Sequence, residues 1–138
     1  MSVEDGELLG YFTIALKPLV VRGETVSNTV KKKLLRISEL NKETQTYTMS
    51  AYLIAQLGKN FSNGANERIT GAELLEAAWK KIEEIQYQAG GVVAFLETSN
   101  NAKLLSFYND NRFTQFDTRQ TISRDQEEHE LVQLLRLL

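Results

Sequence analysis

The clearest alternation of apolar and polar runs lies between Ala51 and Tyr108. Ala51-Tyr-Leu-Ile-Ala-Gln-Leu57 is an apolar run of buried-strand length, and the polar, glycine-containing stretch Gly58–Thr70 after it reads as a loop. From Gly71 to Tyr87, Leu74, Leu75, Ala78, Trp79, Ile82 and Ile85 recur at spacings of three and four. Glu73, Glu76, Lys80, Lys81, Glu83 and Glu84 fall between them, which predicts an amphipathic helix with Trp79 in its core face. Thr70 followed three residues later by Glu73 predicts a capping box. Gly90-Gly91 ends the pattern, Val92–Leu96 predicts a second buried strand, and Asn101–Tyr108 a further helix. Strand, loop, helix, strand is a parallel crossover unit, whose loop and helix N-terminus commonly face a ligand.

The flanks add elements of both kinds. Leu8–Leu16 is rich in aromatic and β-branched residues and predicts a strand; Pro18 should interrupt its ladder, so Leu19–Val21 continues after a bend or at an edge. Ser27 or Asn28 can cap a helix over Thr29–Leu40, with Lys31, Lys32, Lys33 and Arg36 opposite its apolar side. The polar, Thr-rich Asn41–Met49 then reads as a linking loop. Phe113–Phe116 predicts the start of a strand, and Asp117–Glu130 a charged connection. Leu131–Leu138 fits strand or helix by periodicity; its brevity favours a strand returning beside Phe113–Phe116.

Composition narrows the chemistry. The 138 residues suit one domain spanning 1–138, with 42 % hydrophobic and 25 % charged residues, as in ordinary globular chains. A net charge of −2 gives no global attraction to nucleic acid or membranes, although the lysine run could contact RNA. The absence of cysteine excludes disulfides and thiolate chemistry and fits an intracellular, cytoplasmic chain. The acidic N-terminus does not read as a signal peptide, and no apolar stretch is long enough to span a bilayer. With His129 the single histidine, no transition-metal site is expected. Glycines, Lys59 and Arg68 make Gly58–Gly71 the best anion-binding candidate, although neither the phosphate-loop nor the dinucleotide motif occurs. Glu97 at a strand end is a candidate base, and Tyr108 a candidate proton donor.

These pieces, in this order, resemble the GNAT-type N-acetyltransferase superfamily. The matches are Leu9-Gly10-Tyr11-Phe12-Thr13 in the early strand, Tyr52–Gly58 in the central strand, and Gly71-Ala-Glu-Leu-Leu75 opening the next helix. The most specific is Asn101-Ala-Lys-Leu-Leu-Ser-Phe-Tyr-Asn-Asp-Asn-Arg-Phe113, which is similar to the family's Asn…Tyr…Gly-Phe segment. The resemblance implies an α+β fold whose mixed central sheet has splayed parallel strands and flanking helices. It implies acetyl-coenzyme A as cofactor, with backbone at Ala55, Gln56 and Leu57 pairing the pantetheine arm. Arg68, Ile69, Thr70 and Gly71 would hold pyrophosphate, Asn101 would contact the cofactor, and Tyr108 would protonate the departing sulfur.

Two departures accompany the resemblance. The family's phosphate loop reads Gln/Arg-x-x-Gly-x-Gly/Ala; here it is Asn66-Glu67-Arg68-Ile69-Thr70-Gly71, with Ile69 at the first glycine. The family also carries a strand and one or two helices ahead of the strand matched by Leu8–Leu16. The implied activity is direct acetyl transfer to an amine-bearing acceptor, with a homodimer as one way to cover the acceptor side. The alternatives are a weak or inactive acetyl-CoA-binding regulatory domain, or a toxin acetylating aminoacyl-tRNA.

Overall fold

The computed structural model describes residues 8–122 and 128–138. The acidic stretch 1–7 and positions 123–127 of the expected Asp117–Glu130 connection lie outside the described residues. In chain order the elements are β1 (Gly10–Arg22), α1 (Asn28–Leu34), β2 (Leu40–Asn41), β3 (Thr46–Lys59), α2 (Gly71–Ala89), β4 (Val93–Ser99), α3 (Ala102–Asp110), β5 (Thr114–Ile122) and β6 (Glu128–Leu137). One mixed sheet runs β1-β3-β4-β6-β5, and β2 adds a short hairpin to β3. The β3–β4 pair is parallel and the others are antiparallel.

Both faces of the sheet are apolar, for opposite partners. Tyr52, Ile54, Ala94, Leu96, Val132 and Leu134 meet Leu75, Ala78, Trp79 and Ile82 of α2, with Leu105, Phe107 and Tyr108 of α3 packed against the same cluster. Leu19, Val21, Met49, Ala51, Val93, Phe95 and Leu135 form the other face, where Leu34 of α1 is fully buried. Alternate residues of a strand point to opposite sides, so β4 feeds Val93 and Phe95 to one cluster and Ala94 and Leu96 to the other. The capping box at α2 forms as its sequence predicts: Glu73 N donates to Thr70 Oγ1 and Thr70 N donates to Glu73 Oε1, both at 3.0 Å.

Four expectations are corrected. The helix capped by Ser27 stops at Leu34 instead of Leu40, because Leu40 and Asn41 ladder with Tyr47 and Thr46. Leu35 and Ile37, counted on its apolar side, are exposed. The Asn41–Met49 run is therefore a hairpin entering β3. Asn41 Oδ1 accepts from the amides of Glu43 and Thr44, and Gln45 adopts φ 58° to close the turn. Within Asp117–Glu130, the described residues continue β5 and begin β6. Pro18 does not break β1: it lies opposite Ser50 on an edge strand, where a missing N–H costs no ladder bond on the open side.

Candidate functional site

β3 and β4 run side by side only briefly. Their parallel register consists of Tyr52↔Ala94 and Leu53↔Phe95. Beyond that point the strands part, while β3 stays paired to β1 and β4 to β6. A bulge supplies a local cause. On the β1 side Thr13 pairs with Gln56 and Ile14 with Ile54, which leaves Ala55 as the extra residue of β3. A bulge bends its strand and raises its twist, and this one falls two residues after the last β3–β4 pair. The result is a wedge flanked by Ala55, Gln56 and Leu57 on one side and by Leu96 and Glu97 on the other.

The closed end of the wedge is pinned. Tyr52 is buried, and its hydroxyl donates to the carbonyl of Gly90 in the turn between α2 and β4. Gly91 adopts φ 106°, and a Cβ there would lie 2.9 Å from the Tyr52 ring, so the close approach needs glycine.

Tyr108 lies on the helix-bearing face, half-buried and edge-on to Phe107 and Phe113, with ring centroids 5.1 and 6.2 Å away. Burial raises its hydroxyl above the ordinary tyrosine value. No buried side-chain oxygen or nitrogen among the described residues lacks a partner, and the Tyr108 hydroxyl makes no hydrogen bond to them. The hydroxyl is thus not fully sealed from solvent. The neighbouring Phe107 ring would lie 3.3 Å from a Cβ at Gly71, which brings α3 against the N-terminus of α2.

At that N-terminus the expected phosphate contacts are only partly exposed. Ile69 is buried with Leu9, Ala65 and Leu74, so it serves the core. The Thr70 amide is taken by Glu73, whose carboxylate also places negative charge at the positive end of the helix. Gly71 and Ala72 keep first-turn amides that no intrahelical acceptor can satisfy. Arg68 is exposed beside them, and Lys59 Nζ bonds the carbonyl of Asn66 at 3.3 Å. Asn101 caps α3, its Oδ1 accepting from Lys103 N at 2.9 Å and Leu104 N at 3.2 Å. The wedge thus suits an extended arm bearing amide groups, whereas the anion cradle is reduced to two amides and Arg68.

Glu97 faces the other way. It follows Phe95 by two residues and so projects from the sheet face opposite Tyr108. There Arg119 Nε and a second guanidinium nitrogen reach its two oxygens at 2.7 and 2.9 Å, and Gln133 Nε2 donates at 3.1 Å. These residues line a concave cavity of about 700 Å³ together with Leu19, Leu53, Phe95, Arg22 and Asp117. The cavity is concave because the sheet curls. Arg22 on β1 and Asp117 on β5, the two outer strands, form a two-bond pair with both distances 2.9 Å. Leu53 and Phe95, the last laddered pair, belong to its floor, so wedge and cavity share one boundary.

The residues expected to act together are thus divided between the two faces of the sheet. Arg22, Asp117, Arg119 and Gln133 were not expected to take part. The segment carrying Asp117 and Arg119 looked polar enough for a connection, although Thr118, Thr121 and Ile122 carry the β-branched signal of a strand. His129 sits opposite Thr121 on the exposed end of β6. Among the described residues no helix is long and apolar enough to cross a membrane, and no three His, Asp or Glu side chains gather as metal ligands.

No family model matches this sequence, and no curated protein matches it. Among solved structures, the chain is similar to AtaT complexed with acetyl-methionyl-tRNAfMet, at 17 % identity and a TM-score of 0.55. The match covers 94 % of this chain and 64 % of that one, so this chain spans less than two thirds of its length. The likeness is one of fold: a mixed α+β architecture with a central sheet and flanking helices, resembling the GNAT acetyltransferase fold.

Proposed function

We propose that this chain is an N-acetyltransferase that uses acetyl-coenzyme A and takes as acceptor the amino group of a charged transfer RNA. The observation that carries the reading is the wedge, laddered at Tyr52 and Leu53 and parted from the Ala55 bulge onward. Acetyl-coenzyme A, when bound, supplies a thioester carbonyl already activated toward an amine. Backbone groups of Ala55, Gln56 and Leu57 that no longer pair with β4 offer donors and acceptors to the pantetheine amides. The Gly71 and Ala72 amides and Arg68 offer contacts to phosphate. Tyr108, kept protonated by burial, supplies a proton to the departing sulfur from its hydroxyl oxygen. The likeness to AtaT, solved with an acetylated aminoacyl-tRNA, supports an RNA-borne acceptor over a free metabolite.

Incubation with labelled acetyl-coenzyme A should transfer label to aminoacyl-tRNA and not to uncharged RNA. Tyr108→Phe should lower turnover by about 100-fold or more while leaving coenzyme A affinity within about twofold. Unchanged turnover would remove Tyr108 from the chemistry. The Glu73 carboxylate and the buried Ile69, which narrow the anion cradle, favour a second reading: a domain that binds acetyl-coenzyme A and transfers nothing. Saturable cofactor binding without product over RNA and small amines would select it.

A further inference from the structure

We infer that the open edge of β1 is a docking strand for a second copy of this chain, paired antiparallel about a two-fold axis at Ile14. The inference is independent of the acetyl-transfer reading.

Two bonds at the ends of the β1–β3 ladder decide which way each residue of β1 faces. Asn60 N donates to the Leu9 carbonyl and Gly23 N to the Gln45 carbonyl, both at 2.8 Å. Antiparallel strands exchange bonds at alternate residues. Odd-numbered positions of β1 therefore bind β3, and even-numbered ones turn N–H and C=O outward. Pro18 is even-numbered, so its nitrogen points to the open side, where a strand tolerates proline. The outward amides and carbonyls of Phe12, Ile14 and Leu16 meet no partner among the described residues. From Gly10 to Leu16 the edge carries no charge and no proline, the usual devices against strand addition. Leu16 is 60 % exposed on the sheet face where Phe12 and Ile14 pack, and Tyr11 is 50 % exposed on the other.

The strand is complementary to itself in one register. With the axis at Ile14, Phe12 of each copy lies opposite Leu16 of the other and exchanges two bonds with it. The two Ile14 residues exchange two more. Phe12 then covers Leu16 on the apolar face. On the opposite face Lys17 falls opposite Tyr11, whose ring attracts the ammonium. Lys17 is the single charge between Gly10 and Val21 and forms no ion pair among the described residues. Pro18 falls beyond these bonds, opposite Gly10. An axis at Ala15 or Leu16 would bring Pro18 inside the ladder and leave a carbonyl without its donor. An axis at Lys17 would set two ammoniums face to face. Charge and hydrogen bonding thus select the same axis. Pairing two copies closes both β1 edges at once, and two-fold symmetry keeps this contact from propagating. It also braces the neighbour that β3 retains along Ala55–Lys59.

A short strand pair is a small interface, so the mass in sedimentation should rise from one chain to two across micromolar concentrations. Leu16→Pro removes an outward donor and spares the β3 ladder, and should weaken dimerisation by at least about tenfold. Val20→Pro, equally outward but beyond Pro18, should leave it unchanged. Circular dichroism reports whether both variants keep the fold. The chain has no cysteine, so Ile14→Cys supplies an independent readout. The two Ile14 Cα atoms would stand about 5.5 Å apart, within reach of a disulfide, and mild oxidation should link the copies. The two Val20 residues would stand roughly 40 Å apart, so Val20→Cys should not link them. A single-chain mass at every concentration would overturn the assignment and leave the edge to a strand from another protein. Dimerisation indifferent to Leu16→Pro, or linkage as fast through Val20→Cys as through Ile14→Cys, would overturn it as well.

Discussion

Arg22 and Asp117 lie 95 residues apart in sequence and hold the outer strands of one curled sheet together. The guanidinium hydrogen bonds from Arg22 hold the Asp117 carboxyl below its ordinary 3.8, with the Thr118 amide helping and burial opposing. A depressed acid contributes stability above its unfolded pKa and loses it as pH falls through its folded pKa. Asp117→Asn should therefore lower the melting temperature near neutral pH. The difference should shrink steadily once pH drops below about 4, which thermal unfolding across a pH series would measure. A difference that persists at low pH would place the effect in packing instead of charge. Neither residue is marked in the sequence: a charged side chain in a polar run looks the same whether it is solvated or closes a cavity.

At the level of elements, the turn from α2 to β4 carries a sharper constraint than its Gly-Gly spelling conveys. Gly90 and Gly91 have φ 78° and 106°, and Tyr52 occupies the space a side chain at Gly91 would need. Gly91→Ala should destabilise the fold by about 2 kcal/mol, combining positive-φ strain with displacement of the ring. Chemical denaturation should show a lower midpoint for Gly91→Ala and a smaller loss for Gly90→Ala, where nothing lies within 4 Å. The α2 pattern is legible in full, from its Thr70 cap to its glycine stop, because helix periodicity and capping are local. The sequence pattern carries α1 too far because Val30, Leu34, Leu35 and Ile37 fit a helical stripe, whereas the ladder of Leu40 with Tyr47 decides otherwise. The alternation of Tyr47, Met49 and Ala51 with Thr48 and Ser50 was a strand signal in plain view, outweighed by threonine-rich composition.

For the whole molecule, the decisive feature is where a parallel ladder stops. Amides of Tyr52 and Leu53 lie where β3 has neighbours on both sides, whereas Ala55–Lys59 has a neighbour only on the β1 side. Hydrogen exchange should accordingly be slow at Tyr52 and Leu53 and faster at alternate amides from Ala55 onward, with coenzyme A slowing the latter. Uniform protection along all of β3 would mean the strands are closed and the proposed donor has no entry. The sequence by itself determined the strand–helix–strand–helix order from β3 to α3, the α2 caps, the buried character of β3 and β4, and the resemblance that singled out Tyr108. Those features depend on neighbours within a few residues or on a recognisable stretch of chain. Only the tertiary structure decided that the Ala55 bulge opens the wedge, that Glu97 and Tyr108 face opposite sides of the sheet, and that Arg22 reaches Asp117. Each of these depends on strand register and sheet curvature, which are set by pairings between distant segments and leave no periodicity in any one of them.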